Sequence, residues 1–577
     1  MKEKKTFMRL GNDILSLIAT FIIRPTDQKN LCLLNKHMHQ IGVRELYREV
    51  TVEVGSPQDT RLTTLVNPRN IGLPYIRKLD IYLADVPDKC TQQLQQANFS
   101  VRLLLEFLPE NILEKFSWHP WSSFSSDNLK LLYRKQRNMR WLEAIALDKD
   151  VLEELENGRD FDAIFGNTRK LGLYPDSRPV LNMCGALVKR SPKVEKITLH
   201  ASFDEDHEDT GIPGRELNDS PNGPGLITRT IFGHMQPFQD CKPLALRDLT
   251  LQKVNTRYAA DTYCRVIDFR TLKALRIFGC AGADALFSEL SKSAKLPGKL
   301  ETLEFKHDDN AENEALSAFD DFLTLVSGLK VLTVDICYVK VLPEVGGITR
   351  HAKTLKELNV HASRGDGEEE ELVYSFEDFE KITKACDLLE QLSVAFPATS
   401  VVRSSSESFI AYENALGDLP NLITLNITTW PTNTPTSSRL PRKIYEHLLQ
   451  LKAQHGFERS AAHAASLSPS PTASTNASSD PTPNPSSTPE LVPRTSKLSV
   501  IAFGASDKVY DREDSKNQII FVRGTQTDAL GKTGPLAVQV GWCLRKFIEP
   551  RSEVLDFALA RSSRPPTREP PASDDSD

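Results

Sequence analysis

One short apolar pattern, L-x-x-L-x-L with Val, Ile, Phe or Trp allowed at the apolar places, returns along most of this chain and leaves few folds open to it. Copies begin at Ile76 (IRKLDI), Leu113 (LEKFSW), Leu142 (LEAIAL), Thr168 (TRKLGL, imperfect at its first place), Val194 (VEKITL), Leu246 (LRDLTL), Leu272 (LKALRI), Leu300 (LETLEF), Leu329 (LKVLTV), Leu355 (LKELNV), Leu389 (LEQLSV), Leu422 (LITLNI) and Leu498 (LSVIAF). Most steps between neighbouring copies are 26 to 29 residues, the length of a unit built from one strand and one helix. The step from Val194 to Leu246 is 52, twice 26, as though one turn had lost its signature.

The segments between copies supply the helices. Residues 283–295, 313–325 and 376–387 are amphipathic at helical spacing. Strand and helix therefore alternate, and the period is that of leucine-rich repeats. The fold class expected is α/β, a curved leucine-rich-repeat-like solenoid over residues 53–460, with parallel strands on the concave face and helices on the convex one. A doubly wound α/β domain also alternates strands and helices, but it rarely needs thirteen strands at a near-fixed period. The Asn that usually follows the strand is missing from most copies, so the repeats are irregular.

Three stretches leave the period. Residues 202–240, rich in Asp, Gly and Pro, read as a long surface loop with a short ordered remnant near 226–232. Its run Asp204, Glu205, Asp206, His207, Glu208, Asp209 lacks the Gly and terminal Glu of a calcium loop and reads as solvated acid. Residues 461–496 hold a Ser/Pro/Thr-rich insertion expected to be disordered, with Ser468, Ser470, Thr482 and Thr488 each preceding Pro. After it, residues 497–560 carry the last repeat and a hairpin expected to close the stack, and 561–577 form a proline-rich acidic tail.

Composition narrows the function. At 577 residues the chain is too long for one compact core. With 71 basic and 77 acidic side chains the formal charge is −6, without the basic footprint of a nucleic-acid binder. No apolar run approaches the length of a membrane span; the best, residues 14–23, is broken by Ser16 and Thr20. Asp13 and Arg24-Pro25 also argue against a signal peptide, and nine scattered cysteines without CxxC look like reduced cytoplasmic or nuclear thiols. GxSxG and HExxH do not occur, and Gly524 to Thr533 (GTQTDALGKT) has Gln526 where a phosphate loop needs glycine. No cofactor or metal is implied, and nothing points to an enzyme.

A different pattern occupies residues 8–52. Leu10, Ile14, Leu15, Ile18, Phe21 and Ile22 recur at helical spacing, and Asn12 or Asp13 is placed to cap that helix. Pro25 ends it, Asp27 can cap a second helix bearing Leu31, Leu34 and Met38, and Gly42 allows a bend before 43–47. Three such helices bury too little to stand alone, so a partner is expected. LGNDILSLIATFI followed by DQKNLCLLNKHMHQIGVRELYREVTV resembles an F-box, and the L-x-L-x-N-K centre with RELYREV is typical of fungal F-box proteins. Gly11, Gln28 and Met38 depart from the usual residues of that motif. The other reading of these residues is a helical cap on the first repeat.

An F-box followed by leucine-rich repeats is similar to the substrate receptors of Skp/cullin/F-box ubiquitin ligases. The resemblance implies docking on a Skp-type adaptor, and through it a cullin ligase, by Leu10, Ile14, Leu15, Ile18, Phe21, Leu31, Leu34 and Met38. It implies that the repeats hold a protein substrate, whose identity this sequence does not give, while the ligase partners supply the chemistry. By strand alternation, residues between and beside the fourth and sixth template positions face the concave side. The central column there reads Thr198, Thr250, Arg276, Glu304, Thr333, Asn359, Ser393 and Asn426, flanked by His200, Phe278, Lys306, Asp335 and His361. His200, Arg276, Phe278, Lys306, Asp335, Asn359 and His361 are the candidate substrate contacts. Two alternatives stay open: a repeat scaffold outside any ligase, and an F-box protein that binds the adaptor alone.

Overall fold

In a computed structural model of the chain, parallel strands and helices alternate as the repeat demands. The structure describes residues 10–556 apart from 23, 55–59, 68, 84–90, 119–123, 145–164, 202, 204–213, 293, 311–312, 366–370, 401–405, 430–441, 467–495, 505–517, 528, 532, 542–543, 546–547 and 549–551. The acidic run 204–209, nearly all of the Ser/Pro/Thr segment and the tail thus lie outside the described residues. The chain forms two compact units, residues 1–299 and 300–577.

The first unit begins with three helices, α1 (Asn12–Thr20), α2 (Pro25–Leu34) and α3 (Lys36–Leu46). Pro25 starts α2, where its missing N–H costs nothing. Asn35 caps α3, its side-chain oxygen accepting the Met38 amide at 2.9 Å. Neither Asn12 nor Asp13 caps α1; they lie inside it, and the N-cap is Gly11. Likewise Asp27 lies in the first turn of α2, after an Arg24 cap. Gly42 makes no bend. It sits inside α3, where a β-carbon would stand 2.7 Å from Cys32 Sγ, so its role is close helix packing.

Eight parallel strands follow in chain order: β1 (Glu49–Val54), β2 (Lys78–Leu83), β3 (Lys115–Trp118), β4 (Trp141–Ala144), β5 (Lys170–Leu173), β6 (Lys196–His200), β7 (Asp248–Gln252) and β8 (Ala274–Phe278). The template's fourth and sixth positions are buried, as in Leu79, Ile81, Phe116, Trp118, Leu171 and Leu173. The second position joins neighbouring repeats through its carbonyl, which takes two amides of the next one; Arg48 O accepts from both Arg77 and Lys78 at 2.9 Å.

Strand pairing corrects the register at three places. Val50 and Val52 pair with Leu79 and Ile81, so YREVTV at Tyr47 is a further copy, 76 − 47 = 29 residues before the next. Strand β1 therefore runs across the 52/53 boundary drawn from sequence. Leu142 pairs with Phe116 and Leu171, which makes it a fourth position rather than a first. That copy starts at Met139 (MRWLEA), and the overlapping apolar letters of LEAIAL had simulated a start three residues later. Finally, β6 pairs directly with β7, so the 52-residue step holds no lost strand. It is one long connection carrying helices Gly214–Leu217 and Leu226–Ile231. The latter packs on helix Arg178–Arg190 at Gly185, where a β-carbon would meet Thr230 O at 2.3 Å.

The second unit has six parallel strands, β9 (Thr302–Asp308), β10 (Val331–Cys337), β11 (Glu357–Ala362), β12 (Gln391–Val394), β13 (Thr424–Ile427) and β14 (Val500–Phe503). Two antiparallel strands, β15 (Ile519–Thr527) and β16 (Thr533–Gln539), complete it. The stretch from Gly524 to Thr533 belongs to this hairpin, not to a strand-to-helix turn. Helices Ala283–Leu290, Glu314–Leu325 and Phe376–Ala385 match the expected amphipathic segments within a few residues. Their apolar sides pack on the strands' buried positions, as where the Phe305 and Phe319 rings stack at 5.2 Å. Each unit is thus a layer of strands against helices, an arrangement compatible with an α/β solenoid.

Candidate functional site

Two surfaces could engage other molecules: the helical module and the side of the strands that faces away from the helices.

In the module the expected docking residues divide by role. Leu15, Ala19, Leu31, Met38 and Ile41 form a buried cluster, with Ile22 against it. Leu15, Leu31 and Met38 are thus structural, because three short helices have few other side chains with which to make a core. Ile18 is half-buried. Leu10, Ile14, Phe21 and Leu34 remain outside at 38%, 49%, 68% and 65% exposure. The sequence reading missed Leu17 and Leu33, which are exposed at 59% and 73%. Ile14, Leu17 and the C-cap Phe21 follow one another by three and four residues, the spacing of a single helical face, and Leu10 precedes the helix. Leu33 and Leu34 sit in the last turn of α2.

On the strands, the odd template positions share one side, and the residues singled out there meet three different fates. His200 and Phe278 are half-buried, and the His200 ring meets the edge of Tyr174 at 6.1 Å. Burial, then the nearby Lys253 charge, lowers the His200 pKa. Arg276 donates to Asp248 Oδ1 at 2.9 Å, while Lys196 takes the other oxygen at 3.1 Å.

In the second unit three expected contacts are closed off. Asp335, Asn359 and His361 are buried, and this corrects the expectation that they face a substrate. His361 Nδ1 donates to Asp335 Oδ1 at 2.7 Å, and Lys306 Nζ stands 3.4 Å from Asp335 Oδ2. His361 Nε2 lies 3.8 Å from Glu371, which also accepts the Thr428 hydroxyl. Glu371 is carried there by a segment that returns beside β11, Leu372 donating to Ala362 O at 2.8 Å. Burial opposes the charged His361, but the Asp335 hydrogen bond and the Asp335 and Glu371 charges raise its pKa above the usual value. Burial raises that of Glu371.

Asn359 is covered from another direction. The C-terminal turn Glu553–Leu555 packs on β11, β12 and β13. Gln391, at a third template position, accepts the Val554 amide at 3.0 Å and bonds Glu553 at 2.5 Å. Val554 and Leu555 then join Ile548, Val540, Ile520, Val500 and Ala502 in an apolar cluster. The polar side of these strands is therefore occupied by the turn at residues 553–555.

The first unit carries what the sequence reading overlooked. The third template positions of β2, β3, β5 and β6 are Lys78, Lys115, Lys170 and Lys196, and that of β4 is Trp141. Lys115 and Lys170 hold their ammonium groups 4.4 and 4.5 Å from the centre of the Trp141 ring, one from the strand on each side. Lys78 pairs with Glu49, Lys115 with Asp80 at 2.9 Å and Lys196 with Asp248. Lys170 has no carboxylate at ion-pair distance among the described residues. Its pKa is lowered, first by burial and then by the neighbouring lysines. The signal was legible, since K stands third in IRKLDI, LEKFSW, TRKLGL and VEKITL. Trp141 was hidden by the misplaced register.

Among the described residues no group of His, Cys, Asp and Glu is arranged to hold a metal ion, and no helix is long and apolar enough to cross a membrane. No family model matches the chain, and no curated protein matches it.

Proposed function

We propose that this chain is the substrate-recognition subunit of a Skp/cullin/F-box ubiquitin ligase, with residues 8–52 as the F-box and the repeats as the platform for a protein substrate. The observation that carries this is the division within the helical module. Leu15, Ala19, Leu31, Met38 and Ile41 satisfy its core, and a second apolar set is left exposed, Ile14 and Leu17 on α1 with Leu10 just before it and Phe21 at its C-cap. A self-contained helical cap has no need of that second set, whereas a helix laid in a partner's groove does. The F-box motif letters name a Skp-type adaptor as the partner. The chain makes no covalent bond; it holds a substrate near the ubiquitin carrier, and the rate gain is one of proximity.

The test is co-purification of the full chain with a Skp-type adaptor. Wild type should capture the adaptor, and Ile14→Asp with Phe21→Asp should lose at least about thirtyfold in affinity, the equivalent of roughly 2 kcal/mol. Failure of the wild-type chain to capture any such adaptor would sink the proposal and favour a repeat scaffold outside the ligase.

A further inference from the structure

The second template position gives the first unit a row of its own. For β2 to β6 it is Arg77, Glu114, Arg140, Arg169 and Glu195. Each carbonyl of the row but the last is tied to the next repeat: Glu114 O accepts the Arg140 and Trp141 amides at 3.0 Å, and Arg140 O those of Arg169 and Lys170 at 2.8 and 3.2 Å. The backbone is thereby fixed at the turn into each strand, and the five side chains line one cleft of about 790 Å³ at the entry ends of the strands. That volume is in the range of ligand sites. The cleft is open, since Glu114, Arg140, Asn111, Asn138 and Asn167 of its lining are all exposed, and the turns 109–114, 136–140 and 165–169 that bear them are described throughout. Only Ile112 and Leu113 bring apolar surface to it, so its occupant is polar.

The cations differ in how far they are committed. Arg77 Nη1 donates to Pro74 O and Ile76 O at 3.0 and 3.1 Å. Arg169 Nη1 donates to Lys193 O at 3.0 Å, and its Nε stands 3.8 Å from Glu195, whose other oxygen is 3.6 Å from Arg247. Arg140 has no ion-pair partner among the described residues, and neither has Glu114 one strand away. Three guanidinium groups against two carboxylates leave the lining one positive charge in surplus. Two adjacent turns also repeat one pair of polar groups, Asn-x-Arg, at Asn138-Met139-Arg140 and Asn167-Thr168-Arg169. The Asn138 amide makes no hydrogen bond among the described residues, and that of Asn167 makes a long one, 3.4 Å, to Arg137 O.

We infer that this cleft receives the C-terminal end of a protein partner, its terminal carboxylate between Arg140 and Arg169 and its last peptide groups against Asn138 and Asn167. The inference rests on reading the repeats as a platform for a protein and adds the place and the chemistry. A surplus of one charge fits a monoanion. Guanidinium groups bind carboxylates through paired N–H donors, and neighbouring strands are about 4.8 Å apart, so the two arginines can flank one carboxylate but not a run of them. An amide side chain both donates and accepts, as a main-chain peptide group requires. An acidic side chain inside a longer segment is the competing occupant. Its chain would leave the arginine pair in both directions, past Glu114 and Glu195, and a carboxylate has no donor for a passing carbonyl. A chain end leaves in one direction only. A nucleotide is disfavoured because no aromatic ring is among the residues lining the cleft.

The experiment is fluorescence anisotropy with the full chain and three mixtures of eight-residue peptides, labelled at the N-terminus and randomised over the last four residues: one with a free C-terminal carboxylate, one amidated, and one amidated after a final Glu. The free-acid mixture should bind at least about tenfold more tightly than either of the others and weaken as salt is raised. Arg140→Gln should cost it at least about tenfold, and Glu114→Gln, which removes a neighbouring carboxylate, should tighten it. Lys330→Gln, at the same template position in the second unit, should change nothing. Arg140 is exposed, so its replacement should leave the circular dichroism melt unmoved. Absence of binding, equal binding of the amidated mixture, equal binding of the Glu-amide mixture, or indifference to Arg140→Gln would each overturn the inference. Adaptor capture on the same samples separates the two proposals: peptide binding without capture sinks only the docking one, and capture without peptide binding sinks only this one.

Discussion

Ile14 and Leu15 are adjacent, equally apolar and destined for different work. Leu15 is wholly buried in the module core and Ile14 is half exposed. Leu15→Ala should cost the module about 2–5 kcal/mol, seen as lost thermal protection of residues 12–46 in hydrogen exchange. Ile14→Ala should leave that protection intact and weaken only adaptor binding. His361 poses a second residue-scale test. Its folded pKa lies above its unfolded one, so its contribution to stability is fully present below about pH 6.5 and drains away as pH rises through the folded value. Glu371, also raised, changes stability in the same direction. Urea unfolding should therefore show His361→Gln losing more stability relative to wild type at pH 6 than at pH 9; an equal loss at both would remove the charged pairing with Asp335. The letters alone distinguish none of these cases. HAS at His361 and KVLTVD ending at Asp335 can name a polar position on a strand, but whether it is wet or dry depends on what lies over it.

At the scale of elements, the period of the apolar template was sufficient to place the strands, because few folds bury a fourth and a sixth position every 26 to 29 residues. Its failures were local. A run with overlapping apolar letters moved one strand by three residues, an odd shift that exchanges the two faces and so concealed Trp141. A doubled step was read as a missing strand when β6 and β7 are direct neighbours. Cover by the C-terminal turn lay beyond reach for another reason: Gln391 and Glu553 are 162 residues apart, and no periodicity links them. That turn makes its own prediction. Ending the chain at residue 547 removes Ile548, Val554 and Leu555 from their cluster, a loss of roughly 5–9 kcal/mol at about 1.5–3 kcal/mol per buried side chain. Amides of β11–β13 should then exchange faster, while those of β2–β6 keep their protection.

Over the whole molecule, long departures from the period are tolerated where the strands on either side still pair. Strand β14 pairs with β13 in register although 76 residues separate Leu422 from Leu498. Removing residues 470–490 should consequently change stability by less than about 1 kcal/mol, since loop-closure entropy varies by only about 0.6 kcal/mol per doubling of length. A larger fall in urea midpoint would mean that the segment makes contacts of its own. The covering of β11–β13 by residues 553–555 also has a consequence in time. A ribosome adding about 5–20 residues per second needs roughly 3–10 s to travel the 553 − 502 = 51 residues from Ala502 to Glu553. For that interval the nascent second unit presents Val500, Ala502 and the polar row of β11–β13 without their lid. A chaperone thus has its opening during synthesis, and the arrival of residues 553–555 on β11–β13 is the event that ends it.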